Sequence, residues 1–161
     1  MSLGLYLHIP YCFSKCRYCD FYSHPGERGV PEAYVDALLR ELDRFAPEAP
    51  LQPDTLYFGG GTPSLLRPEQ AKRLIDAARP MPGAEITLEA NPETVTEESL
   101  AGFREAGVNR ISFGVQSARD TQLRTLGRPH TAKQARAAFA AARRAGFANI
   151  SGDIMLALPH Y

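Results

Sequence analysis

The sequence carries no net charge, no cysteine outside one short loop and no apolar run approaching membrane-spanning length. Its 18 Lys and Arg balance 18 Asp and Glu, so no long-range field draws in nucleic acid or an anionic membrane. Neither partner is expected. A basic pair such as Arg143-Arg144 reads as the solvated side of a helix. Met1-Ser2-Leu3-Gly4 runs directly into a strand-like segment, with no charged region followed by an apolar one, so a signal peptide is not expected. An integral membrane protein is not expected either, and a cytoplasmic address is the default. All three cysteines fall between Cys12 and Cys19. An odd number in one loop argues against a disulfide framework. With 161 residues, 44% hydrophobic and 22% charged, the chain has the size and balance of one globular domain with its own core.

What is present is a regular alternation of strand-like and helix-like segments. Leu5 to Ile9, Thr55 to Phe58, Ile86 to Glu89, Arg110 to Val115 and Ile150 to Met155 read as strands. Pro31 to Phe45, Pro68 to Ala78, Thr96 to Ala106 and Thr131 to Ala145 read as helices, with Val35, Leu38, Leu39 and Leu42 at helical spacing in the first. Pro31 suits a first helical turn, Gly107 a C-terminal cap, and Thr131 with Gln134 a capping box. Five strands separated by four helices predict an α/β fold with a parallel sheet or barrel.

The strands alternate. Leu5, Leu7, Ile9, Leu56, Phe58, Ile86, Leu88, Ile111, Phe113, Val115, Ile150 and Ile154 share one side, expected to pack under the helices. The other side carries Tyr6, His8, Tyr57, Gly59, Thr87, Glu89, Ser112, Gly114, Gln116, Ser151 and Asp153. A closed barrel normally fills its lumen with branched aliphatics. A small, polar lumen predicts a ligand, the alternative being a sheet with one solvated face. Every unusual motif follows a strand's C-terminal end: the cysteine loop, Gly59-Gly60-Gly61-Thr62-Pro63, Glu89-Ala90-Asn91-Pro92, Gln116 and Asp153. In a parallel barrel these ends meet at one mouth.

Cys12-Phe-Ser-Lys-Cys16-Arg-Tyr-Cys19 has the spacing C-x3-C-x2-C. Three thiolates on one compact loop suit three irons of a [4Fe–4S] cluster, leaving the fourth iron open. The other chemistry open to them is structural zinc, with His8 or His24 as the fourth ligand, although zinc sites more often pair two C-x2-C units.

C-x3-C-x2-C after a first strand, with Tyr18 before its last cysteine, resembles the radical S-adenosylmethionine (SAM) signature. The run from Gly59 to Ser64 is similar to that superfamily's SAM-binding segment. Tyr6-Leu-His-Ile-Pro10, Cys19-Asp-Phe21, Leu88-Glu-Ala-Asn-Pro92, Gly114-Val-Gln-Ser117, Leu126-Gly-Arg128 and Asp153-Ile-Met155 extend the resemblance across the chain. Together they resemble the family of oxygen-independent coproporphyrinogen III dehydrogenase and, most closely, its radical SAM haem chaperone branch. The resemblance implies a radical SAM-type partial barrel, a cluster on Cys12, Cys16 and Cys19, and SAM chelating the open iron. It implies a first SAM at Tyr6, Gly60 and Glu89, with Tyr18 against adenine. A second SAM is implied near Gly61, Thr62, Gln116, Arg128 and Asp153. The implied chemistry is reductive cleavage of SAM by an electron from the cluster, so an electron donor is expected as a partner.

Two functions share this scaffold. The dehydrogenase decarboxylates two propionates of coproporphyrinogen III; the chaperone binds haem and hands it to acceptor proteins. The dehydrogenase pattern has a fourth cysteine two positions after the third. Phe21 occupies that position here, which favours the chaperone. A radical SAM enzyme with another substrate is the third reading. The family pattern continues past Tyr161 with a sixth βα unit and a C-terminal domain, so residues 1–161 are expected to be an incomplete radical SAM core. Leu158-Pro159-His160-Tyr161 also departs from the glycine-containing turn usual there.

Overall fold

The computed structural model describes residues 2–45 and 51–158. It begins with β1 (Gly4–Ile9), then two short strands, β2 (Tyr11–Cys12) and β3 (His24–Pro25), that pair with each other in parallel. There follow α1 (Glu32–Phe45), β4 (Thr55–Gly60), α2 (Pro68–Ala78), β5 (Glu85–Ala90) and α3 (Glu97–Ala106). β6 (Arg110–Gln116), α4 (Asp120–Leu126), α5 (Ala132–Arg144) and β7 (Asn149–Ile154) complete the order. Short 3-10 turns at Pro63–Leu65 and Pro92–Thr94 directly follow β4 and β5.

The five longer strands form one parallel sheet in the order β1-β4-β5-β6-β7. Each crossover steps one place along the sheet in the same direction, the progression that curls into a (β/α) barrel. The expected α/β partial barrel is therefore the fold of this chain. Register keeps like with like: Tyr6 lies opposite Tyr57, Phe58 opposite Leu88, and Leu88 opposite Ile111. Leu7, Ile9, Leu56, Phe58, Ile86, Leu88, Ile111 and Phe113 are buried and belong to one continuous apolar core. α1 packs on α2, α2 on α3, and α3 on α5, each lending an apolar stripe such as Ala71, Leu74, Ile75 and Ala78 of α2.

Helix ends follow local chemistry. Thr131 Oγ1 accepts from Gln134 N at 3.2 Å while Thr131 N donates to Gln134 Oε1 at 2.8 Å, the reciprocal box expected from sequence. Thr96 and Ser99 make a similar pair at the start of α3, and Gly107 caps its end with φ 113°. Among the described residues no helix is long and apolar enough to cross a membrane.

Three expectations need correction or extension. Ile154 is expected on the helix-covered side, yet it is 68% exposed, because among the described residues no helix follows β7 to cover that end. α4 stands in the segment after Gln116 that the alternation left unassigned. It buries only Leu123 and Leu126, too few positions for a helical period to register. The β2–β3 ladder was likewise unread, since two-residue strands carry no alternation. Of the unusual Leu158–Tyr161 turn, residues 159–161 lie outside the described residues.

Phe58 is fully buried at the centre of this core, whereas Phe45 is 74% exposed at the end of α1. In urea unfolding Phe58→Ala is expected to cost about 3–5 kcal/mol, and Phe45→Ala no more than about 0.5 kcal/mol.

Candidate functional site

Backbone bonds close the cysteine loop at its neck. His24 N donates to Pro10 O at 2.6 Å, Gly26 N to Phe13 O at 3.1 Å and Glu27 N to Cys12 O at 3.1 Å. Residues 13–23 therefore form a loop with both ends held together. Its far side rests on the turn after α4, where Arg17 N donates to Leu126 O at 3.0 Å. Cys12 at the neck is buried; Cys16 and Cys19 are partly exposed, and all three thiols are free.

The end of β4 meets this neck at close quarters. Gly61 N donates to Ile9 O at 2.8 Å. A Cβ at Gly61 would stand 2.7 Å from Tyr11 O and 2.9 Å from Cys12 Sγ, so only glycine lets the two loops touch. Gly60 has φ 115°, and a side chain there would also strike the His8 ring at 2.7 Å.

Cys12, Cys16, Cys19, Tyr18, Gly60, Gly61, Thr62, Glu89, Gln116, Arg128 and Asp153 all line a single cavity at the C-terminal rim of the sheet. Phe21 lines it as well. Tyr6 is the exception among the residues singled out from sequence: it lies on the same sheet face, stacked on Tyr57 with ring centroids 6.0 Å apart, but it is 53% exposed and is not on the cavity wall. His8 and His24 are not on the wall either. His8 is engaged elsewhere, with Nε2 3.0 Å from Tyr22 O and Nδ1 3.4 Å from Tyr6 Oη.

Glu89 accepts from Tyr57 Oη at 2.8 Å and from Gly60 N at 3.3 Å. Burial nevertheless pushes its carboxyl above the usual range, helped by the nearby Asp153 charge. Tyr57 is pushed up to about 12, by burial first and by its bond to Glu89 second. Arg128, buried beside the cysteine loop, reaches Cys16 Sγ from Nη1 at 3.3 Å and Asn91 Oδ1 from Nη2 at 2.5 Å. Burial opposes its charge, but the Cys16, Tyr18 and Glu93 partners outweigh it and hold the guanidinium pKa above its ordinary value.

Several residues of this site carried no signal in the sequence. Arg110 ties the polar lumen together by donating to Thr87 Oγ1 at 3.2 Å and Ser151 Oγ at 2.9 Å. The fully buried His130 side chain stands 3.1 Å from both Val115 O and Glu93 Oε2, bracing the wall behind Gln116. Gln116 itself has φ 64°, at an irregularity in the β6–β7 pairing between Phe113 and Gln116. Lone polar residues between apolar ones have no spacing to betray such roles.

Residues 6–161 match the family described as the Radical SAM superfamily. The chain belongs to it. It is 44% identical over 163 residues to the protein named heme chaperone HemW of Escherichia coli (strain K12), covering 98% of this chain and 43% of that protein. To the protein of the same name from Bacillus subtilis (strain 168) it is 41% identical, covering 96% of this chain and 42% of that one. Coproporphyrinogen III oxidase (HemN) from Escherichia coli superposes with a TM-score of 0.88 at 31% identity, over 99% of this chain and 38% of that one. The chain thus spans less than half the length of these relatives.

Superfamily membership implies a [4Fe–4S] cluster and SAM, and the residues present fit them. Three free thiols stand around one cavity. Arg128 Nε is buried without a partner, a donor left over for an acceptor of a bound group. Cys12, Cys16 and Cys19 would hold the cluster. The glycine turn offers backbone for SAM to approach, and Glu89 and Asp153 offer negative charge.

The raised Glu89 pKa has a consequence for the metal-free protein. The unfolded carboxyl titrates near 4.5 and the folded one higher, so the folded state binds this proton more tightly. Its contribution to stability is present below about 4.5 and lost as pH rises through the folded value. In urea unfolding, the stability of wild type relative to Glu89→Gln should therefore decline as pH rises above about 4.5. A flat difference above that pH would show that burial does not perturb Glu89.

Proposed function

We propose that the intact protein is a radical SAM haem chaperone, which binds haem and delivers it to acceptor proteins. The observation that supports it most is the 44% identity, over 98% of the chain, to a protein named heme chaperone. Phe21 on the cavity wall, where the dehydrogenase pattern has cysteine, supports the same branch. In this reading residues 1–161 are the radical SAM core and the compartment is the cytoplasm. The haem-handling surface is expected in the part of the family's length that the chain does not span.

Within the core, each residue has a task its chemistry suits. Cys12, Cys16 and Cys19 anchor the cluster, and Gly60 and Gly61 let the turn close on His8 and on the Cys12 neck, which sets its backbone where SAM would approach. Glu89, held by Tyr57 and Gly60, faces ribose hydroxyls and offsets the sulfonium. Tyr6 completes the first SAM site and Tyr18 lies along adenine. Thr62, Gln116, Arg128 and Asp153 surround a second SAM. When bound, the cluster supplies one electron at an open iron and SAM the sulfonium that takes it up. Arg128 would hold Cys16 in place beside the cluster through its bond to the sulfur.

The second reading is coproporphyrinogen III dehydrogenase, favoured by the superposition on coproporphyrinogen III oxidase. A fold does not choose between them, so the test supplies both substrates. Intact protein, anaerobically reconstituted, is expected to hold about four irons per chain. SAM should perturb its reduced EPR signal, and Gly60→Val should suppress that change. With coproporphyrinogen III and reductant it should give no turnover, while haem binds saturably and passes to an acceptor protein. Catalytic formation of protoporphyrinogen would establish the dehydrogenase instead; stoichiometric zinc without iron would end both readings.

A further inference from the structure

The cavity wall holds a hydrogen-bond chain that touches two of the three thiols and passes through Asn91, a residue given no role above. Thr62 Oγ1 lies 3.4 Å from Cys12 Sγ, and Asn91 Nδ2 lies 3.1 Å from Thr62 Oγ1. On the other side Arg128 Nη2 donates to Asn91 Oδ1 at 2.5 Å and Nη1 to Cys16 Sγ at 3.3 Å. Thr62 is 2% exposed and Arg128 9%, while Asn91 and Cys16 are partly exposed, so bulk water is kept from the Thr62 end of the chain.

The direction of every proton follows from the five groups themselves. A guanidinium has donors only, so the Asn91 atom facing it must be the carbonyl oxygen. The amide nitrogen then faces Thr62 and can only donate, which occupies a lone pair on Oγ1. Thr62 has one proton left, and it points to Cys12. Both sulfurs are thereby acceptors, the role of a metal-bound thiolate. A neutral amide can accept from arginine and donate to threonine at once. A carboxylate would accept from both, and the Thr62 proton would turn away from Cys12.

We propose that Asn91 is a positioning residue that sets the reduction potential of the cluster, by aligning Thr62 and Arg128 as donors to the sulfurs of Cys12 and Cys16. The inference rests on the cluster reading above. Adding an electron makes the cluster sulfurs more negative, so donors and a cation beside them stabilise the reduced form and raise the potential. The two ends are linked: a change at Asn91 is felt at Cys12 through Thr62 and at Cys16 through Arg128.

The experiment is an anaerobic redox titration of the reconstituted protein, followed by the cluster's EPR signal and needing no turnover. Iron content and the melting midpoint of the metal-free protein serve as structural controls. Asn91→Asp and Asn91→Leu should each lower the reduced-to-oxidised ratio at fixed potential by about tenfold, ~59 mV for a one-electron couple. Thr62→Val, which removes the Cys12 donor alone, should lower it by less. In the Thr62→Val background Asn91→Asp should lose part of its effect, a non-additivity expected only of coupled groups. Unchanged potentials at full iron content, or strict additivity in the double variant, would overturn the proposal. Should the Asn91 variants fail to fold, an unchanged potential in Thr62→Val overturns it by itself. A wild-type chain that takes up no iron removes both the cluster reading and this inference, a result distinct from a loaded cluster with an unmoved potential.

Discussion

The parallel direction of all five strands is the constraint on which the rest of the structure depends. Because β1, β4, β5, β6 and β7 run the same way, their C-terminal ends share one rim, and the turns that follow open side by side. Residues more than a hundred positions apart, such as Cys16 and Arg128, are thereby brought to 3.3 Å. The same arrangement divides the sheet into two chemistries. One face packs apolar side chains under four helices. The other carries polar groups, among which Arg110 joins Thr87 to Ser151.

Charge is sorted around the resulting cavity. Its buried cation, Arg128, lies against the cysteine loop, while the carboxylates Glu89 and Asp153 are close enough for one to raise the pKa of the other. Two acids held together on a half-buried wall store unfavourable energy that a positive ligand relieves. A sulfonium is such a ligand, and a second arginine in place of either acid would reverse the preference.

Much of this was legible in the sequence, for identifiable reasons. α2 has the span Pro68–Ala78 read from its apolar period, because proline opens it and its buried stripe is unbroken. The Thr131–Gln134 box and Gly107 marked helix ends because capping is local chemistry. The motifs at the rim were visible because cysteine spacing and glycine runs are uncommon patterns. Arg110, His130 and Glu93 were not visible as parts of the site, because their partners lie far off in sequence and single polar residues have no period; Asn91 stood in the Glu89–Pro92 motif, but its bonds to Thr62 and Arg128 were not legible. Ile154 was misplaced for a related reason: alternation assigns a face, but only the order of elements says whether a helix covers it.

The pinned neck of the cysteine loop decides which substitutions the loop can absorb. Its three closing bonds run from backbone to backbone, and the Arg17–Leu126 bond fastens the far side. None of them passes through a thiol. Side-chain changes between residues 13 and 23 therefore leave the closing bonds in place, whereas a proline at His24, Gly26 or Glu27 would remove the N–H that makes one of them.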